Sequence, residues 1–293
     1  MRLARVFLIV ALGACSACDP ESEQASPCRE ACGDASVQDA RSDDGGALPS
    51  AWRCLSQPPT RPSAVPATVT SRHRFLRLFT ETAVVGMPVE ACERFEVDAA
   101  SPDAGSPLRC VGPLAQGTTD AAGYVALALP GGKTAALALR PSSSFPDMLP
   151  VLTDLPAKYE SDDGAREIAT AEAQHLLSVA DVELIASVVG VSIDRSLGAV
   201  LALGVDCDGK PASGMSARLA APGPTTAGYY VVAGVPSTTA TETGERGELG
   251  FFNVPPGQAS VTLAVPSSGL SLGTRNLPVA PGTITMSGFG PRL

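Results

Sequence analysis

Residues 241–265 read TETGERGELGFFNVPPGQASVTLAV. A polar turn closes at Gly247, a short apolar strand follows, Pro255-Pro256-Gly257 interrupts it, and an alternating strand resumes. Proline withholds a backbone donor and glycine reaches the positive φ of tight turns, so the run reads strand–turn–strand. Residues 118–139, TTDAAGYVALALPGGKTAALAL, follow the same plan, with Gly123, Pro130 and Gly131-Gly132 in the same roles. Two occurrences of one grammar predict a mainly β chain.

Composition agrees. The 293 residues hold 29 glycines and 26 prolines, while charged residues are only 17%. That mixture favours many short strands joined by defined turns. The length allows two ordinary domains with real cores. Net charge is −9 and the only lysines are Lys133, Lys158 and Lys210, so a nucleic-acid partner is not expected. Aromatics are 4% of residues, which leaves the cores to Val, Leu and Ala.

The N-terminus reads as an address. Arg2 and Arg5 precede the apolar run 6–12, which is far shorter than the ~20 residues a bilayer span needs, so residues 1–14 are expected to be a cleaved export signal. Leu12-Gly13-Ala14-Cys15 resembles the lipobox of bacterial lipoproteins. The resemblance implies a diacylglycerol on the Cys15 thiol, cleavage before it and acylation (palmitate) of the new amine, hence a stable membrane anchor. Cys18 is the alternative lipidation site and would leave six cysteines, an even number; Cys15 is preferred because leucine holds the third place before it. By resemblance to enteric lipoproteins, Ser16 after Cys15 would permit delivery to the outer membrane, on its periplasmic face or at the cell surface, whereas Asp19 after Cys18 would favour inner-membrane retention.

Residues 15–50 then read as a flexible tether. Between positions 16 and 50 eight acids meet two bases and almost no large apolar residue. Cys28 and Cys32 lie inside it and lack further Cys or His at a ligand-like spacing, so a disulfide is preferred over a metal. In 51–66, Trp52-Arg53-Cys54-Leu55 forms a small apolar island expected to dock on a domain, followed by a proline-rich linker.

A first β-sandwich module is expected over 67–156. A strand opens near Val69, Gly86-Met87-Pro88 turns the chain, and residues 93–109 read as a polar excursion loop. Cys92 and Cys110 bracket that loop, and in an exported chain they are expected to pair, worth ~3 kcal/mol by loop closure. Residues 157–192 form a spacer in which three- and four-residue spacings predict two short helices. Ser178 and Asp181 form a capping box at the start of the second, and Gly190 ends it. His175 is assigned to the first helix, as a surface or satisfied residue. The second module, 193–293, carries seven expected strands, a sandwich number. Gly86 pairs with Gly209 and Gly123 with Gly247 as equivalent turns, 123 and 124 residues apart by subtraction, which supports an internal duplication.

The run DCDGKPASGMSARL at 206–219, the T-x-x-x-G turn at 243–247 and N-V-P-P-G at 253–257 resemble the carboxypeptidase regulatory-like domain, a transthyretin-like β-sandwich. The resemblance covers the second module well and the first more loosely. It implies a fold and no catalysis. Cys54 and Cys207 either bridge the island to the second module or stay unpaired.

Chemistry-bearing patterns are few. His73 and His175 are the only histidines, no H-x-x-E pair occurs, and no G-x-S-x-G elbow precedes a helix. Gly131-Gly132-Lys133-Thr134 lacks the first glycine of a phosphate loop. A calcium loop over Asp98–Gly105 stays open as an alternative, though its acids are few and Pro102 interrupts them. No catalytic residue, metal or cofactor is expected. Tyr229-Tyr230 and Phe251-Phe252 are adjacent pairs on strands, so one of each is expected to point outward, and together they form a candidate surface patch. The expected protein is a non-enzymatic, lipid-anchored envelope element, a scaffold or a module binding a protein or ligand. The alternatives are a carbohydrate-binding protein, through that aromatic patch, and an accessory subunit of an outer-membrane transport complex.

Overall fold

In the first long strand, β1 (Thr68–Arg77), Val69, Ser71, His73 and Phe75 turn inward while Thr68 and Arg72 face out. That is the period of two that a half-covered sheet imposes. The protein is described from a computed structural model, which places residues 50–56, 66–97, 108–133, 135–155, 167–169 and 173–290. The chain continues through β2 (Pro88–Val97), β3 (Leu108–Thr118), β4 (Tyr124–Pro130), β5 (Ala135–Leu139) and β6 (Val151–Leu155). Two three-residue strands, β7 (Glu167–Ala169) and β8 (Gln174–Leu176), lead to helix α1 (Val179–Val188). Beyond it lie β9 (Gly198–Gly204), β10 (Ser216–Leu219), β11 (Ala227–Val232), β12 (Val235–Ser237), β13 (Glu248–Val254), β14 (Gly257–Val265), β15 (Leu270–Val279) and β16 (Ile284–Phe289). The architecture is mainly β, with sandwich-like sheets and, among the described residues, one α-helix.

Strand pairing follows one plan in both halves. In the first, β1 pairs antiparallel with β4, β2 with β5 and β5 with β6, and β8 runs parallel to β1. In the second, β9 pairs antiparallel with β13, β10 with β14 and β14 with β15, and β16 runs parallel to β9. Strands β7, on β1, and β12, on β11, have no counterpart in the other half, and one further strand changes partner. Strand β3 stays with β2, whereas β11, its counterpart in order, moves to the edge of β13.

The same clamp recurs at both turns. Thr119 Oγ1 accepts the Met87 N–H at 2.9 Å, and the Gly86 N–H donates to Thr119 O. In the second half Thr243 Oγ1 accepts the Met215 N–H at 3.1 Å, and the Gly214 N–H donates to Thr243 O. Both threonines and both methionines are buried. Each clamp ends on a glycine at positive φ whose carbonyl receives the first sheet: Phe75 N–H donates to Gly123 O, and Gly204 N–H to Gly247 O. The partner of Gly86 is therefore Gly214 rather than Gly209. Gly209 serves a different hairpin, where Asp206 Oδ1 accepts the N–H groups of Asp208 and Lys210.

The sheets do not stop at the boundary between the halves. Strand β16 lies between β9 and β6, parallel to both, and joins them into a nine-stranded sheet ordered β12-β11-β13-β9-β16-β6-β5-β2-β3. Two smaller sheets, β4-β1-β7 with β8 on β1, and β10-β14-β15, complete the sandwich-like architecture. One core, with Val69, Phe75, Leu127, Leu137 and Leu139, reaches across to Tyr229, Phe252 and Ile284. A second gathers Val200, Phe251, Val261, Leu263, Leu277 and Phe289.

Two local expectations change. Residues expected to form the first spacer helix include β7 and β8, which run parallel to β1 and pair its open edge. An unpaired edge beside a core leaves backbone donors and acceptors unmet, and that tertiary demand outweighs helix spacing. The second helix is as expected. Ser178 Oγ accepts the Asp181 N–H, Asp181 Oδ2 accepts the Ser178 N–H, and Gly190 follows at φ 72. Likewise the excursion over 93–109 is shorter than its polarity suggests, because β2 continues to Val97 and β3 begins at Leu108. Ion pairs involve several polar residues of those strands: Glu96 with Arg94 along β2 and with Arg109 across to β3, and Glu93 with Lys133 of the turn between β4 and β5.

Candidate functional site

The N-terminal island is fixed to the second half. Residues Ser50–Ser56 form a 3-10 helix that places Trp52, 4% exposed, in the second core. Cys54 and Cys207 are joined in a disulfide, Cα to Cα 5.7 Å, across a separation of 153 residues. The Cys207 N–H donates to Ala51 O at 2.9 Å. Asp206 creates the tight hairpin that presents Cys207, by accepting two backbone donors beyond it. The island thus docks on the far half in sequence, which the spacing of the cysteines left open.

The second disulfide, Cys92–Cys110, links neighbouring strands. Glu90 lies beside it, and these three residues group like metal ligands. Both sulfurs are held in the disulfide, so the group has no thiolate to offer a metal. Glu90 is instead paired with Arg140 at 3.2 Å. Cys15, Cys18, Cys28, Cys32 and residues 98–105 lie outside the described residues.

The aromatic residues do not make an outer patch. Strands β11 and β13 are neighbours, and Gly228 stands opposite Phe251. But β13 is central in its sheet and covered on both faces. Tyr229 and Phe252 stack, centroids 5.0 Å apart, in the core that α1 and the first half close. Phe251 is buried in the opposite core, and Tyr230 packs there half-buried, its hydroxyl accepting the Ala217 N–H at 3.0 Å. Burial, and behind it the charge of Glu248, raises the Tyr229 hydroxyl above its usual pKa. Alternation along one strand cannot reveal a second covering layer, so an outward-facing ring was the natural but mistaken expectation.

The two histidines are placed differently. His175 lies on β8 rather than in a helix, with Nε2 3.2 Å from Glu81 Oε2. Glu248, across the boundary of the halves, is raised by its own burial, against the opposing charges of Arg246 and His175. His73 is 1% exposed, its Nε2 2.6 Å from Ser71 Oγ, and Nδ1 meets no partner. Burial lowers its pKa to about 4. A Ser–His pair at this depth has no route to a substrate, since Ser71 is equally buried. Lys133 of the glycine-rich turn pairs with Glu93 at 2.6 Å. Among the cavities of the described residues, one of about 120 Å³ lies beside Leu108, Ala138 and Arg140, and one of about 30 Å³ lies between α1 and Asn253.

Asn253 of the N-V-P-P-G run has a structural role. At φ 54 it bulges β13, accepts the Asp194 N–H and donates to Ser192 O and Thr225 O. The motif therefore holds the entry to β9 rather than a ligand.

No protein-family model matches the chain, and no curated protein matches it. Solved structures do. A 9R-lipoxygenase from Cyanothece is 14% identical over 28% of this chain and 12% of its own, TM-score 0.17. The Bacillus anthracis TIE protein is 9% identical over 78% of this chain and 35% of its own, TM-score 0.25. The shaft pilin SpaA from Lactobacillus rhamnosus GG is 13% identical over 79% of this chain and 98% of its own, TM-score 0.22. The chain thus spans about a third or less of the first two. Likenesses of this size say nothing about what the chain does.

Proposed function

We propose that the chain is a non-enzymatic scaffold of the bacterial cell envelope, anchored by lipid on Cys15 and built from two copies of one carboxypeptidase regulatory-like sandwich. The observation that carries this reading is the fixing of the N-terminal segment to the far half, through Trp52 and the Cys54–Cys207 bridge. The bridge sets the point on the body at which the tether of residues 15–50 is attached, and keeps that attachment from peeling the island off the core. The two disulfides suit an oxidising, extracytoplasmic compartment. The shared sheet supports a rigid body, because β16 cannot leave one half without opening the other.

Such a body would serve as a spacer or as a platform for an envelope partner. The test is protease shaving of intact cells with immunodetection of the second half, lysed cells serving as control. Loss of signal on intact cells supports a surface platform, and protection until lysis supports a periplasmic scaffold. A Cys15→Ala variant that stays membrane-bound would overturn the lipid anchor.

A further inference from the structure

We propose that the Cys54–Cys207 bridge is a mechanical strap that takes residues 55–206 off the path of any pull applied to the N-terminal segment. The bond joins the two sulfurs across 153 residues of chain. Tension arriving at Cys54 therefore crosses directly to Cys207 and continues through residues 208–293. Strands β1 to β9 and helix α1 all lie inside the closed loop.

Three features match this role. The bridge sits at the mouth of the docked island, since Cys54 directly follows Trp52-Arg53 and the Trp52 ring is buried in the second core. Cys207 is held in a hairpin braced on both sides: Asp206 N–H donates to Lys210 O, and Asp206 Oδ1 accepts from Asp208 and Lys210. The hairpin is also tied to the island itself, through Cys207 N–H to Ala51 O and the Cys54 N–H contact on Cys207 Sγ at 3.0 Å. A pull on the N-terminal segment is then met by covalent bonds and a packed indole, and the backbone of residues 55–206 is not stretched between the two ends of the pull, although β16 still passes load to β6 through their pairing. The inference goes beyond the scaffold reading and needs no lipid, only a pull on the chain ahead of Cys54.

Opening the bridge would release stored length. At 3.3–3.6 Å per extended residue, 153 residues amount to about 500 Å. The experiment is single-molecule stretching of the full chain with handles at its two termini, before and after a dithiol reductant is added. The oxidised protein is expected to extend with no step from residues 55–206, and the reduced protein to reach a total length about 500 Å greater. Equal total lengths in the two conditions, or full extension of the oxidised protein, would overturn the proposal. A C54S/C207S double variant, which keeps Cys92–Cys110, is expected to extend like the reduced protein less the 18-residue span of that second bridge. Should the variant not fold, the oxidised and reduced states of the natural chain still decide.

Discussion

The two halves share a frame and differ in what they place inside it. Gly123 receives Phe75 as Gly247 receives Gly204, so the registers of β1–β4 and β9–β13 can be laid on one another. Ser71 then corresponds to Val200 and His73 to Ala202. The second half fills these places with apolar side chains, and the first with a hydroxyl–imidazole pair, equally buried. The frame is carried by backbone and by the Thr–Met clamp, and it tolerates polar replacement of its core. The comparison also separates what repeats from what welds. The clamps occur twice, whereas the island, its bridge and the insertion of β16 occur once and tie the halves together.

Removing the welds is expected to cost most. In the chain-entropy view a 153-residue closure contributes about 5 kcal/mol and an 18-residue closure about 3 kcal/mol. Denaturant midpoints of C54A/C207A and C92A/C110A should fall in that order; the reverse order would break the distinction between weld and local staple.

Next come the glycines that receive the first strand of each frame. A Cβ at Gly123 would lie 2.5 Å from Phe75 O, and one at Gly247 closer still to Gly204 O, both at positive φ. Gly123→Ala and Gly247→Ala should each cost about 3 kcal/mol, combining left-handed strain with a backbone clash. Thermal unfolding of the two variants checks whether the halves respond alike.

The buried histidine predicts an acid sensitivity that originates in the first half and is felt by the whole body. Its pKa in the fold is about 4, against about 6.5 when unfolded, so the unfolded chain binds the extra proton between those values. Stability from keeping His73 neutral is intact above pH 6.5 and is lost as pH falls towards 4, on the order of 3 kcal/mol. An S71V/H73A variant, which copies Val200 and Ala202, should flatten the denaturation profile over that window. An unchanged slope would assign the acid loss to other groups.

The clamp threonines follow. Thr119→Val and Thr243→Val each leave a buried methionine N–H without its acceptor, for about 2 kcal/mol. Smallest is Gly86→Ala, about 1 kcal/mol, because its φ of 81 is left-handed but a Cβ there meets nothing within 4 Å. Gly214→Ala should match it. If Gly209→Ala tracked Gly86→Ala while Gly214→Ala did not, the structural alignment of the halves would be wrong.

Much of this was legible in the sequence because its causes are local. Proline–glycine punctuation marks the turns, and Ser178 with Asp181 marks the helix start. Cys92 and Cys110 sit close enough in sequence to suggest their bond, and the T-x-x-x-G spacing at 119–123 and 243–247 stands out once either copy is noticed. What was missed depends on packing between distant elements. Nothing in residues 284–289 announces that this last strand lies between β9 and β6 rather than at an edge. The rings of Tyr229 and Phe252 look outward only until α1 and the first half cover them. His175 moved from a helix to a strand because β1 had an edge to satisfy.

The most direct test of the central claim, that the halves are welded into one body, is differential scanning calorimetry of the oxidised protein. A single transition, whose calorimetric and van't Hoff enthalpies agree, is the predicted result. Two resolved transitions, or a calorimetric enthalpy near twice the van't Hoff value, would show the halves unfolding independently and contradict the account.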